Sequence, residues 1–367
     1  MFICHNYYIH FMNRILAINP GSTSTKIAVF DSNEQVFVKN IKHSTEELSE
    51  FNKITDQTEF RKRVILEELK ENDIPLTSIE IVIGRGGLVK PIPSGIYQVN
   101  DLMKKHLYEG YSGAHASNLG GLLADNIAQT IGLSVSYIAD PVVVDELQPV
   151  ARISGHPLFE RISIFHALNQ KAVARGYAQE IGKEYESLHL IVAHMGGGIS
   201  VGAHEKGRVI DVNQALDGEG PFSPERSGTL PTRQLVELCF SGKYSKDEIQ
   251  KMLAGKGGYA GYFGSNDAYQ VEKDAEAGDE KSILIQNAMA YQIAKGIGEA
   301  AVVLKGKIDA ILLTGGIAFG KPIVNEIIKY VDWIAPVKVY PGEDEMRALA
   351  FNALMILKGE TEPKKYD

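Results

Sequence analysis

ILAINPGSTSTKIAVF, residues 15–30, sets apolar residues on both sides of a run of small hydroxyl residues. Segments 14–19 and 25–30 read as an antiparallel pair of strands around a loop. A tight connection needs only about two to five residues, and Asn19-Pro20-Gly21 alone would turn the chain. Ser22, Ser24 and Lys26 exceed what the turn requires. They are hydrogen-bond donors and a cation, the groups that a phosphate binds.

The arrangement recurs. LHLIVAHMGGGISVGAHEKGRVI (188–210) is again strand, glycine turn and strand. Its Gly196, Gly197 and Gly198 would present backbone amides with no side chain in the way. IEIVIGRGG (79–87) and DAILLTGGIAFG (309–320) are apolar runs that stop at glycines, as buried strands opening into loops do. Two copies of a hairpin followed by a strand ending in Gly-Gly predict a duplicated α/β domain, each half a mixed sheet covered by helices, with ligand in the crevice between. The pattern over 45–72 is charged and helix-periodic; 101–132 reads as two helices split by a Gly-Ala-His-Ala-Ser-Asn loop; VSYIAD (135–140) is a strand ending in an acid. EDEMRALAFNALMILKG (343–359) has helical spacing and is expected to return to the first half. The expected organisation is therefore domain I over 12–155 plus 345–367 and domain II over 156–344.

A chain of 367 residues fits about two domains of ~150 residues. With 44% hydrophobic and 23% charged residues it is an ordinary globular composition. A net charge of −8 argues against a nucleic-acid surface, and no apolar run approaches the roughly 18 residues of a membrane span. Cys4 and Cys239 form neither a disulfide framework nor a zinc knuckle, which points to a reducing cytoplasm. MFICHNYYIHF (1–11) lacks the basic flank of a signal peptide, and MNRILAINPG from Met12 reads as the natural start. Residues 1–11 are expected to be an upstream extension or a disordered tail. GGIAFGK (315–321) fits G-x-x-x-x-G-K, but Pro322 stands where a Walker A loop needs a hydroxyl on Mg²⁺. Gly315 and Gly316 are read instead as letting the backbone approach a nucleotide, with Pro322 opening a helix at its first position.

In order, INPGSTSTK, GRGG, GAHASN, IADP, Phe165-His166, AHMGGG, ERSG and LTGGIAFG resemble the motifs of the acetokinase family, the acetate, propionate and butyrate kinases. INPGSTSTK with GRGGL and ERSGTLP looks most like the butyrate kinase branch. The resemblance spans essentially residues 12–360. It implies the actin-like ATPase superfold shared with sugar kinases, Hsp70 and actin, two duplicated α/β domains around a nucleotide cleft. It also implies reversible transfer from ATP, with Mg²⁺, to a short carboxylate, giving ADP and an acyl phosphate, in a cytoplasmic homodimer or higher oligomer. By resemblance, Arg85 and Arg226 flank the transferring phosphoryl group, and Arg85 also fixes the carboxylate. Planar, permanently charged guanidinium groups suit a transfer that rests on positioning and charge cancellation. His166 would hydrogen-bond the phosphoryl; His115 and His194 match two further family histidines. Asp140 would lie beside the reacting carboxylate and the metal, Asn19 in the first loop, and Asp267 on the adenosine side. Among Glu343, Asp344 and Glu345, Glu345 is favoured to hold Mg²⁺ through water.

Three departures from the family pattern matter. Gln170 stands where a second histidine is usual, and Tyr269 where an arginine often follows Asp267. Gly86 and Gly87, with Ala114, replace larger residues typical of acetate kinases, which is read as leaving room for a longer acyl tail. Butyrate is therefore the expected acceptor. The alternatives are a nucleotide-driven switch of the actin or Hsp70 kind, or a sugar kinase. A switch has no use for Arg85, His166 and Arg226 around a small acid; a sugar kinase needs a base such as Asp140, which a carboxylate acceptor does not.

Overall fold

The computed structural model describes residues 13–367, and the expectation for residues 1–11 lies outside the described residues. Two compact units form. The first holds the described chain up to Lys90, then Gly95–Pro141 and Glu345–Asp367; the second holds Pro91–Ser94 and Val142–Asp344. The chain enters the second unit after Pro141, ahead of the expected boundary at 155. The reason lies in its hydrogen bonds: Asp145 N–H donates to the Ile92 carbonyl, Gln148 N–H to that of Ile210 and Phe165 N–H to that of Val142, at 2.9–3.0 Å.

The first unit's sheet contains β1 (Arg14–Pro20), β2 (Ser24–Asp31), β3 (Glu34–Lys42), β4 (Ile81–Arg85), β5 (Ile96–Gln98) and β6 (Tyr137–Ala139), in the order β3-β2-β1-β4-β6-β5. The second contains β7 (His189–Met195), β8 (Ile199–Glu205), β9 (Arg208–Val212), β10 (Ala310–Gly315) and β11 (Val337–Pro341), in the order β11-β10-β7-β8-β9. Each sheet opens with an antiparallel meander whose first strand then pairs in parallel with a later one, β1 with β4 and β7 with β10. A further parallel strand follows in each, β6 and β11. The duplication read from the two hairpins is thus one of topology, to which the first unit adds the antiparallel edge strand β5.

Strand β1 shows why these runs are apolar throughout. Leu16 and Ile18 pack with Ile65, Leu69, Leu119, Leu123 and Ile127, which come from the helices Thr58–Glu71 and Asn118–Thr130. Ile15 and Ala17 alternate to the opposite face and are equally buried, on a strand that the helix Glu345–Leu357 also covers. In the second unit Ile191, Ala193, Val201, Ile311 and Leu313 pack against the long helix Glu280–Val303 and the helix Lys321–Val331. Pro322 is the second residue of the latter, not the first, with Gly320 as its cap. The pattern over 45–72 breaks into a helix Thr45–Ser49, a 3-10 turn Ile54–Gln57 and the helix Thr58–Glu71, which ends at Asn72. Asn100 caps the helix Asp101–Glu109 by accepting the Met103 amide, and left-handed Gly110 (φ +70°) ends it, opening the His115 loop. Among the described residues no helix is long and apolar enough to cross a membrane.

Candidate functional site

In the first unit the C-terminal ends of β1 and β4 lie side by side and carry Asn19 and Arg85. Asn19 Nδ2 donates to Glu345 Oε2 at 2.5 Å, and Arg85 Nη1 donates to the same oxygen at 3.1 Å. Glu345 is buried at the start of its helix, so one carboxylate gathers donors from two neighbouring strand ends. Asp140 follows β6 and is 1% exposed, with φ +37°, a left-handed conformation uncommon for a residue with a Cβ. Reciprocal bonds with Gly95 hold it there: Oδ1 accepts the Gly95 amide at 2.8 Å, and the Asp140 amide donates to the Gly95 carbonyl at 3.0 Å. His115 is exposed, and its Nδ1 accepts the Ser117 amide at 3.2 Å, so a neutral ring carries its hydrogen on Nε2.

The hydroxyl loop rests on a residue that the sequence reading missed. Arg61 is fully buried beneath residues 21–25. Its guanidinium donates to the carbonyls of Gly21 (2.8 Å), Ser22 (3.0 Å) and Ser24 (2.9 Å), to Thr25 Oγ1 and twice to Gln57 Oε1. The Thr23 carbonyl is taken by the His43 amide at 2.9 Å. The loop's carbonyls therefore face inward, which leaves the exposed Ser22, the half-buried Ser24 and the exposed Lys26 for an outer partner. Burial pushes the Arg61 pKa down to about 10, and only neutral acceptors bond it among the described residues. Its charge thus adds to the potential under the loop. The signal was present in the sequence: Arg61, Ile65 and Leu69 share one helix face at four-residue spacing.

In the second unit β7 ends at His194-Met195 and the glycine loop leads into β8. His166 caps the helix Ala167–Glu180, and its ring stacks on that of His194, with centroids 3.7 Å apart and planes 11° from parallel. His194 is 1% exposed; its Nδ1 lies 2.8 Å from Asn169 Oδ1. Its Nε2 is 3.1 Å from Glu343 Oε1, but out of line for a hydrogen bond. A Cβ at Gly198 would collide with the Arg226 guanidinium, so this glycine is the seat of Arg226. Arg226 donates to the Ala215 carbonyl, and burial lowers its pKa against the opposing pull of Glu225 and Asp217. Ser223 Oγ donates to the Gly197 carbonyl at 2.6 Å and accepts the Arg226 amide at 3.1 Å, tying the glycine loop to the arginine loop. A Cβ at Gly196 would meet Glu343 and His194, and one at Gly197 would come no closer than 3.6 Å to Glu225. His166, His194, the glycine loop and Arg226 therefore form one cluster.

Other predicted residues lie apart from it or have additional duties. Asp267 caps the helix Ala268–Glu276, its Oδ1 accepting the amides of Tyr269 and Gln270 at 3.0 and 3.1 Å. Gly315 has φ +93° and packs against the backbone of Met195, whereas a Cβ at Gly316 would meet open space. The reading of Gly86 and Gly87 as room for an acyl tail is overturned. A Cβ at Gly87 would lie 2.6 Å from Asn118 Cα and 2.7 Å from Leu107 Cδ2, and one at Gly86 would meet Pro141. Both glycines exist for close packing, and the space is already filled by protein. Ala114 remains exposed. A cavity of about 530 Å³ on the second unit, lined by Arg161, Asp211, Lys295 and Glu299 among others, contains none of the predicted residues.

The paired β3-β2-β1-β4-β6 and β9-β8-β7-β10-β11 sheets define the actin-like ATPase fold. Acetate kinase from Porphyromonas gingivalis superposes with a TM-score of 0.74 at 18% identity, over 94% of this chain and 100% of that one. A propionate kinase from Francisella tularensis gives 0.71 at 20%, over 93% and 99%, and acetate kinase from Entamoeba histolytica 0.72 at 18%, over 95% and 98%. Residues 160–333 match the sequence model of the acetokinase family, a segment that includes His166, the glycine loop, Arg226 and Gly315. The chain therefore has the fold of these kinases, and residues 160–333, a little under half of its length, match the acetokinase family.

Proposed function

We propose that this chain phosphorylates a short-chain carboxylate with ATP, with butyrate the preferred acceptor, giving ADP and an acyl phosphate reversibly. The observation that carries the reading is the second unit's cluster: two stacked imidazoles and a buried guanidinium around a glycine loop. Such a set supplies hydrogen-bond donors and charge to phosphate oxygens, which is what phosphoryl transfer chiefly requires. A carboxylate is already ionised at pH 7, so its oxygen attacks the terminal phosphorus directly while the bond to the ADP oxygen breaks; no base is needed. Arg226 and His166 are assigned to the transferred phosphoryl group and Arg85 to the acceptor carboxylate, with Asn19 and Asp140 orienting their surroundings. Ser22, Ser24, Lys26 and the 196–198 amides serve the nucleotide phosphates; Gly315, Gly316 and Asp267 serve the nucleoside side.

Among the described residues no three His, Cys, Asp or Glu side chains are grouped to hold a metal, and Glu345 already receives two donors on one oxygen. This donor set fits Mg²⁺ kept largely by phosphate oxygens and water, with Glu345 reaching it through water. When bound, the ion neutralises phosphate charge. The preference for butyrate rests on the resemblance to the butyrate kinase motifs and on Ala114. Neighbouring acids should also react, because one buried methylene discriminates by only ~1–3 kcal/mol. By the same resemblance the enzyme works in the cytoplasm as a homodimer or higher oligomer. The test is hydroxamate trapping of acyl phosphate with ATP, Mg²⁺ and acids from acetate to valerate. Butyrate should give the highest kcat/KM; absence of hydroxamate with every acid, while a sugar is phosphorylated, would overturn the assignment.

A further inference from the structure

Gln170, at the position where a family histidine is usual, is fully buried one turn into the helix that His166 caps. Its Nε2 lies 3.1 Å from the Ser200 carbonyl and 2.8 Å from Ser200 Oγ, and its Oε1 lies 2.9 Å from His204 Nε2. His204 Nδ1 in turn lies 2.7 Å from the Tyr185 hydroxyl, and Ser200 Oγ lies 2.9 Å from His166 Nδ1. Ser200, Gln170 and His204 have no solvent exposure, so each donor and acceptor must find its partner within this chain of contacts.

The direction of every bond follows from one fixed point. A backbone carbonyl only accepts, so the Ser200 carbonyl forces the Gln170 NH₂ to face it and the neighbouring Oγ. Gln170 Oε1 must then face His204, which donates from Nε2; its Nδ1 accepts from Tyr185. Burial and the nearby Lys171 and Arg175 lower the His204 pKa well below its ordinary value, in keeping with a neutral ring of this tautomer. Ser200 Oγ already accepts from Gln170, which has no lone pair to offer on that side. The buried hydroxyl hydrogen in turn needs an acceptor, and His166 Nδ1 at 2.9 Å is the one within this chain of contacts, so the proton goes there.

We propose that Tyr185, His204, Gln170 and Ser200 form a positioning relay that fixes His166 as the Nε2–H tautomer, so that its Nε2 presents a donor to the transferred phosphoryl group. The relay explains why a glutamine serves at position 170: it accepts on one end and donates on the other. None of the four residues is required to touch the substrate. The proposal rests on the phosphoryl-transfer reading for the purpose of the tautomer, but the tautomer itself can be read with no turnover.

The experiment is long-range proton–nitrogen correlation NMR of the full chain labelled with ¹⁵N in histidine, His166 being assigned from its loss in His166→Gln. The wild type should show an unprotonated Nδ1 and a protonated Nε2 at His166; the opposite tautomer overturns the relay, whatever the enzyme's substrate. Ser200→Ala should leave the two tautomers in exchange, and Gln170→Met should weaken the preference. An unchanged, single Nε2–H tautomer in both would also overturn it. In turnover, each variant should lower kcat at least about tenfold, the lower end of the loss seen when partners that orient metal-binding imidazoles are removed, with nucleotide KM within twofold of wild type. A rise in nucleotide KM with kcat unchanged would point to a structural role and against the relay. Should a variant fail to fold, the wild-type spectrum still decides. Failure of the hydroxamate assay with an Nε2–H His166 would instead condemn the assigned reaction and leave the relay standing.

Discussion

The two hairpins, β1–β2 and β7–β8, occupy the same place in two sheets of the same topology, yet they are braced by opposite means. The first loop hangs its carbonyls on a buried arginine and keeps its hydroxyls for the outside. The second has almost no side chains of its own, and Arg226, His194 and Ser223 fill the space around it. Both hairpins nonetheless use one device. Thr25 Oγ1 accepts from Arg61 and lies 2.8 Å from His43 Nε2, as Ser200 Oγ accepts from Gln170 and lies 2.9 Å from His166 Nδ1. In the first unit that imidazole is a buried prop; in the second it belongs to the candidate site. Topology sets where a loop lies, and the residues packed behind it set what it can offer.

The comparison breaks most easily at Arg61. Arg61→Met should cost about 3 kcal/mol or more, since three loop carbonyls lose their donor at roughly 1–3 kcal/mol each. Urea unfolding measures this, and a loss under about 1 kcal/mol would mean that the loop does not depend on the arginine. Arg226→Met should do the reverse, lowering kcat by about 10²–10³ while stability changes little, because among the described residues its guanidinium donates to a single carbonyl. Equal damage to stability from both variants would erase the contrast.

Acid sharpens the same point. Burial, with the charge of Arg61 opposing and Glu47 favouring protonation, depresses the His43 pKa from 6.5 to about 4. Between those values the unfolded chain binds more protons than the folded one. Stability is therefore complete above pH 6.5 and falls as the pH drops through about 4, by up to about 3 kcal/mol from this residue. His43→Asn should flatten that part of the profile in pH-dependent unfolding, leaving the share due to His204, whose pKa is depressed in the same direction. An unaltered slope would remove His43 from the account. The smallest effect separates the loops by a methyl group. Gly21→Ala finds its nearest neighbour, Ser24 Oγ, at an ordinary 3.4 Å and should change unfolding by less than about 1 kcal/mol. Gly198→Ala pushes the Arg226 guanidinium aside and should lower kcat about tenfold; similar kinetics in the two variants would show that Arg226 can move freely.

Much of this was legible in the chain. Apolar runs ending at glycines marked β4 and β10, hydroxyl and glycine turns marked the hairpins, and the spacing over 101–132 marked two helices around the His115 loop. The misreading at Gly87 has a definite cause: a missing side chain looks the same in a sequence whether it leaves space for a ligand or for a neighbouring helix. Arg61 lay in a strongly charged segment, where an arginine ordinarily faces water, and only its spacing from Ile65 and Leu69 argued otherwise. The stacking of His166 on His194 and the relay through Gln170 join residues 19 to 34 positions apart, beyond the reach of any local pattern.

The sequence by itself determined the repeated strand–turn–strand units, because alternation and turn chemistry are local and act within a few residues. It also set which residue types could meet a phosphate. Only the tertiary structure decided which arginine is buried, which glycine is packed shut and where each imidazole hydrogen resides. Those outcomes depend on which donors and acceptors are brought together without water, and that is a property of packing between distant segments.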